Sequence, residues 1–165
     1  MHHGSHTHDL ISLSTALEHY ARLPPLPPRR TPLLAAAGEV LAAPVCAVTD
    51  LPAFTQSAMD GYALRHADLA GGLSLVGEVA AGRVFTRALA RGEAVRIFTG
   101  AALPEGADTV ARQEIVRLDG ARLLLAEALP PGQDVRLRGE ELHAGSDIMP
   151  AAVKLTPGRL AALAM

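Results

Sequence analysis

The sequence has one cysteine, no tryptophan and one lysine, Lys154, in 165 residues. A single cysteine excludes a disulfide framework and a cysteine-based metal site within one chain. Cys46 lies in the apolar run "APVCAV" and is expected to be a buried, inert thiol. Aromatic residues make up only 3% of the chain, so its core must be aliphatic. No apolar run approaches the roughly 18 residues of a membrane span. The N-terminus "MHHGSHTHDL" lacks the apolar centre of a signal peptide, which makes a cytoplasmic protein the expectation. Charge of one sign is also missing: 15 basic residues face 17 acidic ones, for a net charge of -2. That balance offers no global field to nucleic acid or to an anionic membrane. There is no zinc-ligand spacing, no P-loop, no dinucleotide fingerprint and no Ser/His/Asp order.

What is present suits one or two small domains with a packed core, at 49% hydrophobic residues. Fourteen arginines are scattered along the chain. They read either as a compositional preference for Arg and Ala or as forks for phosphate and carboxylate. His2, His3, His6 and His8 crowd the N-terminus. Imidazoles bind metals, but nothing nearby fixes their geometry, so residues 1–9 are expected to form a disordered tail.

The segment "SLSTALEHYARL" predicts a short helix, with Leu13, Leu17 and Tyr20 on one face and Ser12 or Ser14 as cap. Five prolines in the nine residues of "PPLPPRRTP" predict a stiff connector that detaches this helix from the rest of the chain. "LLAAAGEVLAAPV" predicts a second helix ended by Pro44. From about Val45, short apolar runs alternate with Gly, Pro and Asp, each run of strand length and each break with turn chemistry. "LDGARLLL" predicts a hairpin with Asp119-Gly120 at its tight turn. "LTPGRLAALAM" predicts a last helix starting near Thr156-Pro157 and running to Met165 without a cap, as if a larger protein were cut there. The fold class is therefore α+β: short helices flanking a β-rich inserted domain of short strands.

Four polar clusters fall at predicted turns: "SAMDGYA", "RIFTGAALPEGAD", "RQE" and "RLRGEELHAGSDI". Each alone has an ordinary structural explanation, and Asp60-Gly61 is most simply a turn pair. Together they place carboxylates (Asp60, Glu114, Glu140 and Glu141), a hydroxyl (Thr99) and two arginines (Arg136, Arg138) at loop ends. Loops on a rigid β scaffold are where sites gather. Carboxylates suit Mg²⁺, and arginines suit phosphate.

In this order the clusters resemble the N-terminal half of the MoeA/gephyrin E-domain family, the molybdopterin molybdenumtransferases. The most specific pieces are "LPAFTQSAMDGYA" and "RIFTGAALPEGAD", supported by "GQDVRLRGEELHAGSDI" and "LTPGRLAALA". The resemblance implies insertion of molybdate into adenylylated molybdopterin with release of AMP and involvement of Mg²⁺. It implies residues 10–23 as a helix that packs on a catalytic domain not contained in this chain. It also implies a small domain from 24–46 with 139–165, and a β-rich inserted domain from 47–138. The expected partners are a second copy of the chain in a homodimer and the missing catalytic half, in cis or in trans, with no nucleic acid and no membrane.

By the same resemblance Asp60, Thr99 and Glu141 are the catalytic candidates. Ser57, Gly61, Gly100, Arg136 and Arg138 are substrate-binding candidates. Asp60 and Glu141, with Glu114, are the candidates for Mg²⁺. Glu141 stands where most members carry Asp, and Gln56 where many carry Asn. Arg112 occupies a position that is usually uncharged. The chain alone is expected to be inactive, and the alternative is a non-catalytic binding or scaffold module that keeps the fold.

Overall fold

A computed structural model of the chain describes residues 10–165. The expectation for His2, His3, His6 and His8 lies outside the described residues. Packing divides the chain into two units: Met1–Ala42 with Lys154–Met165, and Ala43–Val153.

In the first unit, helix α1 spans Leu13–Ala21. Ser12 caps it, accepting the Thr15 N–H at 3.1 Å and so satisfying one of the first-turn donors that no helical carbonyl can reach. Leu13, Leu17 and Tyr20 share a face as expected, yet all are more than half exposed. Helix α2 spans Pro157–Leu163 and also follows its sequence signal, with Thr156 as N-cap and Pro157 at the first position. It closes at Ala164 rather than running on to Met165.

The helix expected over residues 33–45 does not form. Only a single 3-10 turn, Leu33–Ala35, is present. Gly38 then takes φ +84° and leaves the helical region. Its N–H donates to the Leu155 carbonyl at 2.8 Å, and the Leu155 N–H donates to the Glu39 carbonyl at 2.7 Å. Backbone groups that would bond four residues away find partners more than a hundred residues away instead. Thr31 (3.0 Å) and Arg29 (2.5 Å) both donate to the Glu39 carboxylate, which ties the proline segment back to this turn.

The second unit is strand-rich, as the alternation of apolar runs and turns predicts. Its central sheet has six strands: β3 (Gly61–Leu64), β4 (Leu73–Val79), β5 (Glu93–Ile97), β6 (Thr109–Arg112), β7 (Val116–Asp119) and β8 (Arg122–Leu125). Their order is β6-β3-β5-β4-β8-β7, and every neighbouring pair is antiparallel except β4 with β5. The β7–β8 hairpin forms where expected, with its turn one residue later: Asp119 pairs with Arg122 across Gly120 (φ +60°) and Ala121.

Alternate residues of these strands build an aliphatic core on each face. Ala63, Val79, Val95, Ile97 and Val110 pack on one side, and Tyr62, Leu64, Leu73, Ala94 and Ala111 on the other. Two two-stranded pairs complete the unit: β1 (Val45–Cys46) with β10 (Asp147–Met149), and β2 (Gln56–Ser57) with β9 (Val135–Arg136). Residues 43–46 and 139–153, expected with the smaller domain, thus meet each other through β1 and β10 within this unit.

Cys46 corrects the sequence reading. It is exposed, on the two-stranded ribbon formed by β1 and β10. Its Sγ donates to Asp147 at 3.4 Å, and that hydrogen bond holds the thiol pKa above its ordinary value. No helix of the described residues is long and apolar enough to cross a membrane.

Candidate functional site

The site is built on the bend between β2 and β3. Ser57, the last residue of β2, is 1% exposed. Its Oγ donates to the Met59 carbonyl at 2.6 Å and accepts the Met59 N–H at 3.3 Å, which folds the bend tightly on itself. The Ser57 backbone is zipped to the loop after β5: its N–H donates to Ala101 at 3.0 Å, and its carbonyl accepts the Gly100 N–H at 2.9 Å. Gly100 sits at φ +79°, a turn conformation that favours glycine. Ser57 and Gly100 therefore shape the loops through their own bonds to each other.

This zipper brings Asp60 against Thr99. The Asp60 Oδ1 accepts both the Thr99 N–H and the Thr99 Oγ–H, each at 2.8 Å. The carboxyl pKa is held below its usual value, first by the Thr99 N–H, then by the hydroxyl, with a smaller contribution from the Arg96 charge. The acid and hydroxyl that the sequence presents in separate clusters thus form one unit.

Asp60-Gly61 is not a turn pair. Gly61 opens β3 with an ordinary extended backbone and is buried between neighbouring strands. A Cβ there would stand 2.1 Å from the Ala111 carbonyl oxygen of β6. Glycine is required there by strand approach. Met59, within the bend, is 37% exposed.

The second group of candidates lies on and after β9, whose Arg136 stands opposite Gln56 of β2. Arg136 on β9 pairs with Glu140 at 2.8 Å and also with Glu141. Arg138 pairs with Asp50, which also accepts the Ala144 N–H at 2.8 Å. Both arginines therefore meet acids of this chain. Glu114 lies on the 3-10 turn Gln113–Ile115 and accepts from the Gln113 side chain at 3.1 Å. Among the described residues, no three His, Cys, Asp or Glu side chains form a group that could hold a metal ion.

Arg96, Gln113 and Asp50 carry contacts that sequence reasoning missed. The Arg96 guanidinium stacks over the rings of Tyr62 and Phe98, 5.0 and 5.3 Å from their centroids, and donates to the Gln113 side chain at 2.5 Å. The Gln113 N–H in turn donates to the Asp60 carbonyl at 3.1 Å. Arg96 and Gln113 lie inside the stretches "RIFTG" and "RQE", but only the Tyr62–Arg96 register of β3 on β5 shows that they surround Asp60. On that face an open groove of ≈ 490 Å³ is lined by Tyr62, Leu75, Gly77, Glu78 and Arg96.

Acid should weaken this unit. Asp50, Asp60, Glu93, Asp134 and Glu140 all have pKa values held below the ordinary 3.8 and 4.5 by hydrogen bonds from N–H, O–H or guanidinium donors. Between the folded and ordinary values the unfolded chain binds more protons, so stability rises with pH in that window. The contribution is complete above about pH 5 and is lost as pH falls through the folded values. The urea midpoint is expected to hold steady from about pH 7 to 5 and to fall steadily below about pH 4.5. A midpoint unchanged down to about pH 3 would contradict these bonds.

An α+β chain whose strand-rich unit presents an acid–hydroxyl pair on loop ends defines a module that offers a site from a β scaffold. The family model for the MoeA N-terminal region (domain I and II) matches residues 11–165, and the chain belongs to that family. It is 40% identical over 139 residues to a molybdopterin molybdenumtransferase of Nostoc sp., covering 80% of this chain and 32% of the relative. Against the molybdopterin molybdenumtransferase of Synechococcus elongatus it is 35% identical over 160 residues, covering 90% and 40%. The crystal structure of a molybdopterin biosynthesis moeA protein from Pyrococcus horikoshii superposes with a TM-score of 0.83 at 28% identity, covering 94% of this chain and 42% of that one. The chain thus spans a third to two fifths of the length of these relatives.

Proposed function

We propose that this chain is the N-terminal part of a molybdopterin molybdenumtransferase, the enzyme that inserts molybdate into adenylylated molybdopterin and releases AMP. In this reading it supplies one wall of the active cleft in trans, facing the catalytic domain of the other subunit of a cytoplasmic homodimer. The observation that carries the reading is the Asp60–Thr99 pair, set on two loops of the scaffold by the Ser57–Ala101 zipper.

The pair has a clear chemical use. Thr99 occupies Oδ1 of Asp60 with two donors, which keeps the carboxylate ionised and fixes its plane. The other oxygen, Oδ2, takes no hydrogen bond among the described residues and can meet a cation or a water. Mg²⁺ commonly takes one or two carboxylates, substrate phosphates and several waters, and Asp60 fits that mode. Glu141 and Glu114 are held by Arg136 and Gln113. When bound, Mg²⁺ supplies charge neutralisation to the phosphoanhydride. Asp60 then orients that face of the substrate, and Thr99 holds Asp60.

The test is reconstitution. AMP release driven by molybdate should be absent with this chain alone and appear when the catalytic half is added as a second polypeptide. Full activity from the 165-residue chain alone would overturn the half-site reading. No activity from the mixture would favour a non-catalytic module. Sedimentation of the reconstituted protein over a concentration series tests the dimer.

A further inference from the structure

We infer that Arg112 and Asp134 form a positioning pair for Asp60, clasping together the two backbone anchors of the loop that carries it. The inference rests on the reading of Asp60 as the site acid, but its geometry stands on its own.

The loop enters at Ala58 and leaves at Asp60. At its entry the Ala58 N–H donates to the Asp134 carbonyl at 2.9 Å. At its exit the Asp60 carbonyl accepts from the Gln113 N–H at 3.1 Å. These anchors belong to different segments: Gln113 follows β6 directly, while Asp134 lies in the connection that leads into β9. Arg112, the neighbour of one anchor, bonds the side chain of the other. Its Nε and Nη2 donate to the two oxygens of Asp134 at 2.7 and 2.9 Å, the bidentate geometry in which a guanidinium holds most firmly.

Asp134 is under conformational constraint. Its φ is +52°, in a region that non-glycine residues seldom enter and that Asp and Asn tolerate best. Its side chain is only 9% exposed. Gln133 also donates to it at 3.2 Å, and the Gln133 carbonyl accepts the Val110 N–H of β6 at 2.9 Å. Besides Asp134, the charges around Arg112 are Glu114 and Glu127. Sheet strands β3 and β5 keep their own ladder without the clasp. What the clasp decides is whether the entry and exit of the Asp60 loop move together. A displacement of about 1 Å at a reacting group can cost on the order of a hundredfold in rate, so a rigid frame there has a direct use.

The experiment is amide hydrogen exchange by NMR on the whole chain, with Arg112→Ala, Asp134→Asn and Arg112→Lys. Asn keeps the left-handed backbone accessible and removes only the charge. In the first two variants the Ala58 and Thr99 amides are expected to exchange about tenfold faster, and the Thr99 amide proton to move upfield as its bond to the carboxylate loosens. Ala63 and Val95 in the core should keep their protection. The lysine variant should fall between, because a point charge cannot bridge both oxygens. Arg112→Ala combined with Asp134→Asn should be no faster than either alone.

The proposal is overturned if Ala58 and Thr99 stay within about twofold of wild type, or if the core amides accelerate by the same factor. In the reconstituted protein kcat for AMP release should fall about tenfold with KM unchanged, and an unchanged kcat overturns the proposal. If the wild-type mixture releases no AMP, the functional reading fails while the exchange data still decide the clasp.

Discussion

Asp60→Asn in the reconstituted protein is expected to lower kcat/KM for molybdate-driven AMP release by on the order of 100-fold or more. The substitution separates charge from shape. An asparagine carbonyl oxygen can accept the same two Thr99 donors, which now meet Oδ1 at 2.8 Å, so the bend keeps its form. Only the negative charge and the second acceptor oxygen are lost. Melting temperature should therefore fall only by the small share that the ionised Asp60 adds, while turnover collapses. Thr99→Val is the graded companion. It deletes the hydroxyl donor but leaves the N–H, and a loss of about tenfold is expected. Turnover near the wild-type rate in Asp60→Asn would make the acid structural and favour the scaffold reading.

Gly61→Ala is expected to cost about 3 kcal/mol of stability and to lower Tm by roughly 10 °C. The new Cβ would lie 2.1 Å from the Ala111 oxygen, 2.9 Å from its carbonyl carbon and 3.1 Å from the Arg112 Cα. All three are backbone atoms and cannot rotate away. Relief requires β3 and β6 to part along a ladder of four paired residues. Because Arg112 follows Ala111, that movement also reaches the frame around Asp60. Gly158→Ala is the contrast. Nothing lies within 4 Å of its Cβ and it sits in α2, so alanine should stabilise by about 0.5–1 kcal/mol. Equal effects from the two substitutions, read from denaturant midpoints, would refute the close-approach account of Gly61.

Much of the candidate site is visible along the chain. Ser57, Asp60, Gly61, Thr99 and Gly100 stand in the two most specific stretches, and Asp60 and Thr99 prove to be bonded. The reason for Gly61 is not legible there: a local Asp-Gly signal points to a turn, whereas a neighbouring strand forbids the Cβ. Arg96 and Asp134 each look like an ordinary charge until β3–β5 pairing and the β8–β9 connection bring them beside the loop. Glu141 resembles a partner of Asp60 in sequence, but it meets Arg136 five residues away.

The sequence by itself determined what depends on near neighbours. Caps at Ser12 and Thr156 start the two helices, Gly120 turns a hairpin, and alternating apolar runs make strands with an aliphatic core on both faces. The family motifs likewise lie within short windows. Tertiary structure alone decided which groups meet. It replaced a helix over residues 33–45 with bonds from Gly38 and Glu39 to Leu155, and it left Cys46 exposed on a two-stranded ribbon. It also put Asp60 with Thr99 and Asp50 with Arg138. The physical reason is the same in each case: every backbone and side-chain polar group seeks a partner, and in a sheet built from distant segments that partner is chosen by register rather than by sequence spacing.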